Sequence, residues 1–374
     1  MNFLILSCKT GGGHNAAGFA LRKRLKELGH EAVVFDYLTL AGNKVSDTVG
    51  NTYIQIVKNA PDVFGAVYKV GMFVSKRTNH SPVYYANTKM GKYLKEFLQN
   101  HSFDAIIMPH LYPAETLSYL KKKRVLLPPT IAVMTDYTCI PFWEETCCDY
   151  YILPHEELKG ECIRRGIPEE KLVPIGIPVD MAFAEHIEKN KAREQLQLPD
   201  SRRIHLIMAG SMGAGKLEKL TACVWKYNQK KDLVIVICGN NEKMFQRLTK
   251  KYHGVEEVRI YKFSDNIPLL MKACDILYTK PGGLTSTEAA VSKIPLVLTD
   301  PIPGCETENL NFFVKHKMAL TAKSTSGQAR AGVQLLGSES AKRQMAAAQE
   351  YIIDGMADKK IAEFILEKCE KMGK

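Results

Sequence analysis

The chain has 374 residues, 45% of them apolar and 24% charged, an ordinary globular composition long enough for about two domains. No apolar run approaches the ~20 residues of a membrane-spanning helix, and the apolar start, Met1 to Cys8, is too short for a signal peptide and runs straight into glycines. The net charge of +11 favours an anionic partner, and ten cysteines without a C-x-x-C pattern indicate neither a zinc site nor a disulfide framework, so reduced thiols in the cytosol are expected.

Phe3 to Ser7 reads as a short buried strand. Thr10-Gly11-Gly12-Gly13-His14-Asn15-Ala16-Ala17 follows, then a helix with apolar Phe19, Leu21, Leu25 and Leu28, and a second strand over Glu31 to Asp36. Gly11-x-Gly13-x-x-Ala16 with Asp36 also resembles a dinucleotide fingerprint, although such a loop has no use for a histidine. His14 puts a titratable ring at a strand end, either as a general base or as a cap that hydrogen-bonds its own turn.

Residues 42–100 interrupt the alternation with three helical patterns, Ser46–Lys58, Val63–Val74 and Tyr84–Leu98. Tyr53, Phe64, Tyr68, Phe73, Tyr84, Tyr85 and Tyr93 are interleaved there with Lys58, Lys69, Lys76, Arg77, Lys89, Lys92 and Lys95. Aromatic anchors beside cations suit a helix lying in an anionic membrane interface. An ordinary helical insertion is the alternative, and no nucleic-acid module accompanies the basic residues. Strands are then expected at Asp104–Met108, Thr130–Met134 and Tyr150–Leu153, with helices at Pro113–Lys122 and His155–Arg164. His110 and Asp136 both follow strand ends, where they share a sheet edge with His14; Asp136 either orients a base or binds a hydroxyl, or simply caps its loop. Trp143 follows in a loop, as an apolar acceptor wall or a cover for the sheet.

Gly176 to Asp180 reads as the interdomain linker. A fresh strand, Ile204–Met208, leads to Gly210-Ser211-Met212-Gly213-Ala214-Gly215-Lys216-Leu217, close to a P-loop except that Leu217 replaces the magnesium-binding hydroxyl. A Gly-rich turn opening a helix still suits a diphosphate. Strands over Leu233–Ile237, Val258–Tyr261 and Asp275–Tyr278 follow, the last delivering Lys280-Pro281-Gly282-Gly283-Leu284-Thr285-Ser286-Thr287-Glu288. Its glycines allow a sharp turn, Thr285, Ser286 and Thr287 are candidate helix caps, and Glu288 lies about one turn on, in reach of a ribose. The strand Pro295–Thr299 adds a second polar loop, Pro301 to Asn309, beside the first. Paired loops on neighbouring strand ends point to a nucleotide-sugar site.

Taken in order, Gly-Gly-Gly-His-x-Ala-Ala, Thr-Asp-Tyr before Trp143, Gly-Ser-x-Gly, Lys-Pro-Gly-Gly-x-Thr-x-x-Glu-Ala and Pro-Gly-x-Glu-x-x-Asn resemble the monogalactosyldiacylglycerol synthase and processive diacylglycerol glucosyltransferase family over nearly the whole chain. The resemblance implies a GT-B fold, α/β with two Rossmann-like domains facing each other across a cleft: residues 1–177 on the acceptor and membrane side, 178–345 on the donor side, and terminal helices over 346–374. It implies an inverting, metal-independent transfer from a UDP-hexose to diacylglycerol, without a cofactor, by a peripheral protein on the cytoplasmic face of the cell membrane. His14 then resembles the base, with Asp136 the alternative, and Gly12, Gly13 and Trp143 lie on the acceptor side. Gly210, Ser211 and Gly213 resemble one donor loop, and Lys280, Gly282, Gly283 and Thr285 the phosphate loop. Glu288 resembles the ribose ligand, and Glu306 and Asn309 lie against the hexose. Ile140 stands where the family often has a histidine, and Cys305 where it favours a glutamine; which acceptor and which sugar stay open. The runner-up is a glycosyltransferase acting on another lipid-linked acceptor; the same sheets also serve UDP-sugar epimerases and would serve a UDP-sugar sensor without turnover.

Overall fold

A computed structural model describes residues 1–9, 12–59, 61–75, 80–210, 213 and 215–372. The chain divides into two compact units. The first comprises Met1–Asp180, Pro303–Cys305 and Met356–Lys374, and the second Met181–Ile302 and Glu306–Gly355.

Six strands build the first unit: β1 (Asn2–Ser7), β2 (Glu31–Asp36), β3 (Ala105–Met108), β4 (Thr130–Val133), β5 (Tyr150–Leu153) and β6 (Leu172–Pro174). They run parallel in the order β2-β1-β3-β4-β5-β6. Parallel strands covered on both faces read as unbroken apolar runs, and β1 and β3 do so. Their side chains alternate between two cores. Leu4, Leu6, Ile106 and Met108 pack with Leu94 and Leu117, whereas Phe3, Ile5, Ala105 and Ile107 pack with Leu21, Leu25, Ile361 and Ile365. The last two belong to the helix Ala357–Met372, so this helix is part of the first unit instead of a terminal appendage. Arg24 joins it to the helix Gly12–Glu27 through Asp358 at 2.8 Å.

The second unit has β7 (Ile204–Met208), β8 (Leu233–Ile237), β9 (Val258–Tyr261), β10 (Ile276–Thr279) and β11 (Leu296–Leu298), parallel in the order β11-β10-β7-β8-β9. Two parallel α/β sheets of this kind are the GT-B class of architecture expected from the sequence.

Several local expectations need correction. Gly12 and Gly13 are not part of a loop: the helix already begins at Gly12, which makes His14 its third residue. Thr10 and Gly11 lie outside the described residues. Phe19 and Leu28 are exposed instead of facing the core, and Arg22 lies over the Phe19 ring at 5.0 Å. Among its described residues the insertion holds four helices, Asn43–Asn59, Pro61–Ser75, Pro82–Thr88 and Gly91–Gln99. Thr88 Oγ1 bonds back to the Tyr85 carbonyl at the end of the third helix, and the fourth opens at Gly91, where a side chain would meet the Tyr119 ring at 3.0 Å. The side chains of Tyr53, Lys58 and Phe64 fall outside the described set, as do residues Lys76 and Arg77.

Two carboxylates hold the short helix Pro82–Thr88. Glu145 Oε2 accepts from the Ser81 N–H at 2.8 Å, and Glu115 Oε2 accepts from Asn87 Nδ2 at 2.5 Å. Glu115 is fully buried; that burial, reinforced by the charges of Glu145 and Glu144 and opposed by the Asn87 bond, pushes its carboxyl up to about 8 from 4.5. A carboxyl raised on folding stabilises the fold below its unfolded value of 4.5, and that contribution is lost as the pH climbs through about 8. Glu115→Gln mimics the protonated form. In urea titrations it should match the parent near pH 5 and be more stable by about 1–3 kcal/mol at pH 8–9, where a buried charge is replaced by an amide.

Candidate active site

In the first unit, β1, β3 and β4 are neighbours and their carboxyl ends lie side by side. After β1 comes the helix start that carries His14, tied to the strand where Ser7 Oγ donates to Asn15 Oδ1 at 2.6 Å. Beyond β3 come Pro109 and His110, and beyond β4 Thr135 and Asp136. His14 Nδ1 lies 2.8 Å from the Pro109 carbonyl oxygen and 3.0 Å from Thr135 Oγ1. A carbonyl only accepts, so Nδ1 carries the hydrogen and Nε2 keeps a basic lone pair. The ring therefore does not cap its own turn; its partner is 95 residues away. His14 is part-buried, and desolvation by the surrounding protein lowers its pKa below 6.5, against the opposing pull of Asp136 and the Pro109 bond. The ring is thus mostly neutral at pH 7.

His110 stands edge-on to His14, with ring centroids 4.6 Å apart. Its Nδ1 accepts from the Tyr112 N–H at 3.1 Å and caps the helix Leu111–Lys122. Burial, and then the proximity of His14, hold its pKa well below 6.5. His14, His110, Thr135, Asp136, Ile140 and Trp143 line one pocket. Trp143 both walls that pocket and packs edge-on to Tyr151, so the two readings of it are compatible. Gly12 and Gly13 are the first two helical residues beside it.

In the second unit, β11, β10 and β7 are also neighbours, and their ends bring the donor-loop candidates together. The helix Gly283–Val291 starts from Gly282, with no side chain capping it. Thr285, Ser286 and Thr287 are therefore not caps, and Thr287 Oγ1 instead donates to the Gly283 carbonyl at 2.6 Å. The first-turn N–H groups of a helix lack intrahelical partners, and space for a ligand is open over Gly282, where a Cβ would meet nothing within 4 Å. Glu288 lies in the second turn, half-buried.

Lys280, only 8% exposed, donates from Nζ to Glu306 Oε1 at 2.9 Å, and Glu306 Oε2 accepts from the Ile302 N–H at 2.7 Å. Asn309 is wholly buried and donates to the Pro281 carbonyl at 3.0 Å, which makes it a brace of the glycine turn.

Past β7, Gly210 and Gly213 have left-handed backbones with φ of 67° and 63°. A side chain at Gly213 would run into the Cys238 carbonyl and Asn241. Ser211 lies outside the described residues. Gly215 and Lys280 line one pocket with Lys216, Asp300 and Gln328. Lys216 Nζ donates to Asp300 Oδ2 at 2.7 Å, and Gln328 Nε2 donates to Oδ1 at 2.8 Å. Burial works to raise the Asp300 carboxyl, but these two bonds hold it below its usual range. Sequence reasoning missed Asp300, Gln328, Asn241 and Thr135. The strand-end position of Thr135 and Asp300, and the place of Thr135 in the Thr-Asp-Tyr motif, were the hints.

The polar ends of the two sheets offer two complementary chemistries. One unit holds a neutral imidazole with a basic lone pair; the other holds an uncapped helix start beside a buried lysine. Among the described residues no helix is long and apolar enough to cross a membrane.

Comparison with known proteins agrees with this division. Residues 14–179 match the family model of monogalactosyldiacylglycerol (MGDG) synthase, and residues 188–350 match that of glycosyl transferases group 1. A processive diacylglycerol beta-glucosyltransferase of Bacillus thuringiensis (strain Al Hakam) is 28% identical over 332 residues, covering 86% of this chain and 82% of the relative. Among solved structures, MurG of Acinetobacter baumannii superposes with a TM-score of 0.62 at 13% identity, over 98% of this chain and 99% of that one. The UDP-GlcNAc 2-epimerase of Neisseria meningitidis gives 0.62 at 15% identity, over 98% and 100%. At such identities these structures share the fold only.

Lys280→Met should leave Glu306, whose side chain is only 13% exposed, without its cation. Breaking one side of a buried pair costs about 3–5 kcal/mol, to be read from the unfolding midpoint. The double variant Lys280→Met/Glu306→Leu should recover most of that loss.

Proposed function

We propose that this chain, which belongs to the monogalactosyldiacylglycerol synthase family of glycosyltransferases, moves a hexose from UDP-glucose or UDP-galactose to the free hydroxyl of diacylglycerol with inversion. The observation that supports it most is the Nδ1–H···O=C bond from His14 to Pro109, which leaves a basic Nε2 in a neutral ring. The reading is of a metal-independent reaction without a cofactor, as the sequence resemblance implies.

In this scheme the acceptor oxygen attacks the anomeric carbon while His14 Nε2 takes its proton. The bond from that carbon to the UDP oxygen breaks, and negative charge gathers on the β-phosphate. The first-turn N–H groups after Gly282 and the Lys280 ammonium receive that charge, with Gly210, Ser211 and Gly213 close to the diphosphate. Glu288 takes the ribose hydroxyls, Glu306 the hexose hydroxyls, and Thr285 assists at the phosphate. Asp136 favours the imidazolium as it forms, and Trp143 walls the acceptor. No nucleic acid takes part.

The chain works at an anionic membrane surface in this reading. On the helix Pro61–Ser75, Val67, Val70 and Phe73 are 62%, 60% and 55% exposed at a spacing of three residues, with Lys69 exposed beside them and Tyr85 60% exposed on the next helix. An apolar stripe flanked by cations fits a lipid interface.

The deciding assay supplies UDP-glucose or UDP-galactose with diacylglycerol vesicles and analyses both lipid and nucleotide products. Glycosylated diacylglycerol is expected; an altered UDP-sugar with no glycolipid would make the chain an epimerase, and UDP-sugar binding with no product a sensor. His14→Ala should lower kcat by about 10²–10⁴-fold with little change in UDP affinity. The parent rate should be flat around pH 7–8 and fall on acidification, with an inflection below 6.5 because the base must be neutral. Near-normal turnover in the variant would transfer the role to Asp136.

Membrane attachment is read by co-sedimentation with vesicles, where binding should rise with anionic lipid content and weaken as salt screens the surface charge. Phe73→Ser with Val70→Ser should reduce it by about 1.5–3 kcal/mol per side chain lost from the interface.

A further inference from the structure

Thr135 has no part in the scheme above, yet its hydroxyl is one of two oxygens on the back of the catalytic ring. It follows β4 and is 6% exposed. Its Oγ1 lies 3.0 Å from His14 Nδ1, and the Pro109 carbonyl oxygen lies 2.8 Å from the same nitrogen. The carbonyl requires the hydrogen to be on Nδ1, so one N–H is shared between two acceptor oxygens.

We propose that Thr135 is a positioning residue for His14: together with the Pro109 carbonyl it fixes the rotation and tautomer of the ring, and it stabilises the imidazolium that forms when Nε2 accepts the proton. The inference rests on the reading of His14 as the base. Its physical core is an asymmetry between the two protonation states. Against a neutral ring the Nδ1–H bonds are ordinary; against an imidazolium they become charge-assisted, roughly twice as strong. They therefore favour the proton-loaded ring over the resting one, and only such a differential contact speeds the chemical step.

The other groups facing the ring do not duplicate this. Asp136, on the same loop, favours the charged ring through space. His110, from the segment after β3, stands edge-on, and its own Nδ1 is engaged by the Tyr112 N–H. Pro109 contributes backbone, which no substitution removes. Thr135 is the part of the clamp that can be varied, and its β-branched side chain holds the oxygen in a restricted rotamer.

Thr135→Val removes the oxygen and keeps the shape, and Thr135→Ser restores the oxygen. Two readouts apply: kcat and KM for the UDP-sugar across pH, and the titration of the His14 ring by NMR, assigned from the signals missing in His14→Ala. Thr135→Val is expected to lose about 10–100-fold in kcat with KM within twofold, as loss of one charge-assisted bond implies. The His14 titration should move to lower pH, because the charged form loses a partner, and Thr135→Ser should recover most of both. If Val is poorly tolerated, Thr135→Ala deletes the same oxygen without the extra methyl. Parent-like kcat with a parent-like titration would overturn the inference, as would a kcat loss that leaves the titration in place or that serine does not rescue. The titration needs no turnover, so it tells the two failures apart: a His14→Ala variant that remains active would sink the base assignment and the kinetic half of this inference with it, whereas an unmoved titration in Thr135→Val beside an inactive His14→Ala would sink this inference alone.

Discussion

Parallel strand adjacency is the constraint from which both sites follow. In a parallel sheet every strand delivers its carboxyl end to the same edge, so loops far apart in sequence become neighbours. In the first unit β1, β3 and β4 sit side by side, and their ends supply His14, then Pro109 with His110, then Thr135 with Asp136. In the second, β7, β10 and β11 repeat the device with the Gly210 loop, the Lys280 turn and Asp300. A bond such as His14 to Pro109 spans 95 residues of chain yet costs little loop entropy once the sheet has formed.

Much of this was legible in the sequence, because buried parallel strands announce themselves as apolar runs between polar loops. Phe3 to Ser7 and Leu233 to Ile237 needed no further clue. β6 went unseen, since three residues ending in Pro174 carry too little pattern. The start of the first helix was hidden because glycine is a poor helix former, and Gly12 and Gly13 are nonetheless helical. The close approach of Gly91 to the Tyr119 ring, at the start of the last insertion helix, is a tertiary fact with no local signature.

The candidate sites were legible as residue types but not as partnerships. His14, Asp136, Lys280, Glu306 and Asn309 each stood out at a strand end or in a motif. That Lys280 binds Glu306, that Asn309 braces Pro281, and that Thr135 and Pro109 share the proton of His14 depend on distances that only the folded sheet sets. The three hydroxyls after Gly283 misled for the opposite reason. Their chemistry suits a cap, but Gly282 leaves the helix start bare, which is what an incoming anion requires.

The helix Ala357–Met372 covers one face of the first sheet with Ile361 and Ile365, next to Phe3 and Ile5. That placement orders events during synthesis. The first five strands leave the ribosome early, but the face holding Phe3 and Ile5 stays without its full cover until the last helix emerges, roughly tens of seconds later at ordinary elongation rates. The second unit, contained between Met181 and Gly355, has all of its strands available before then. The first sheet, begun before the second unit, therefore gains its full cover only after the second unit is complete, and a ribosome that stalls between Gly355 and Met372 leaves one face of it short of that cover.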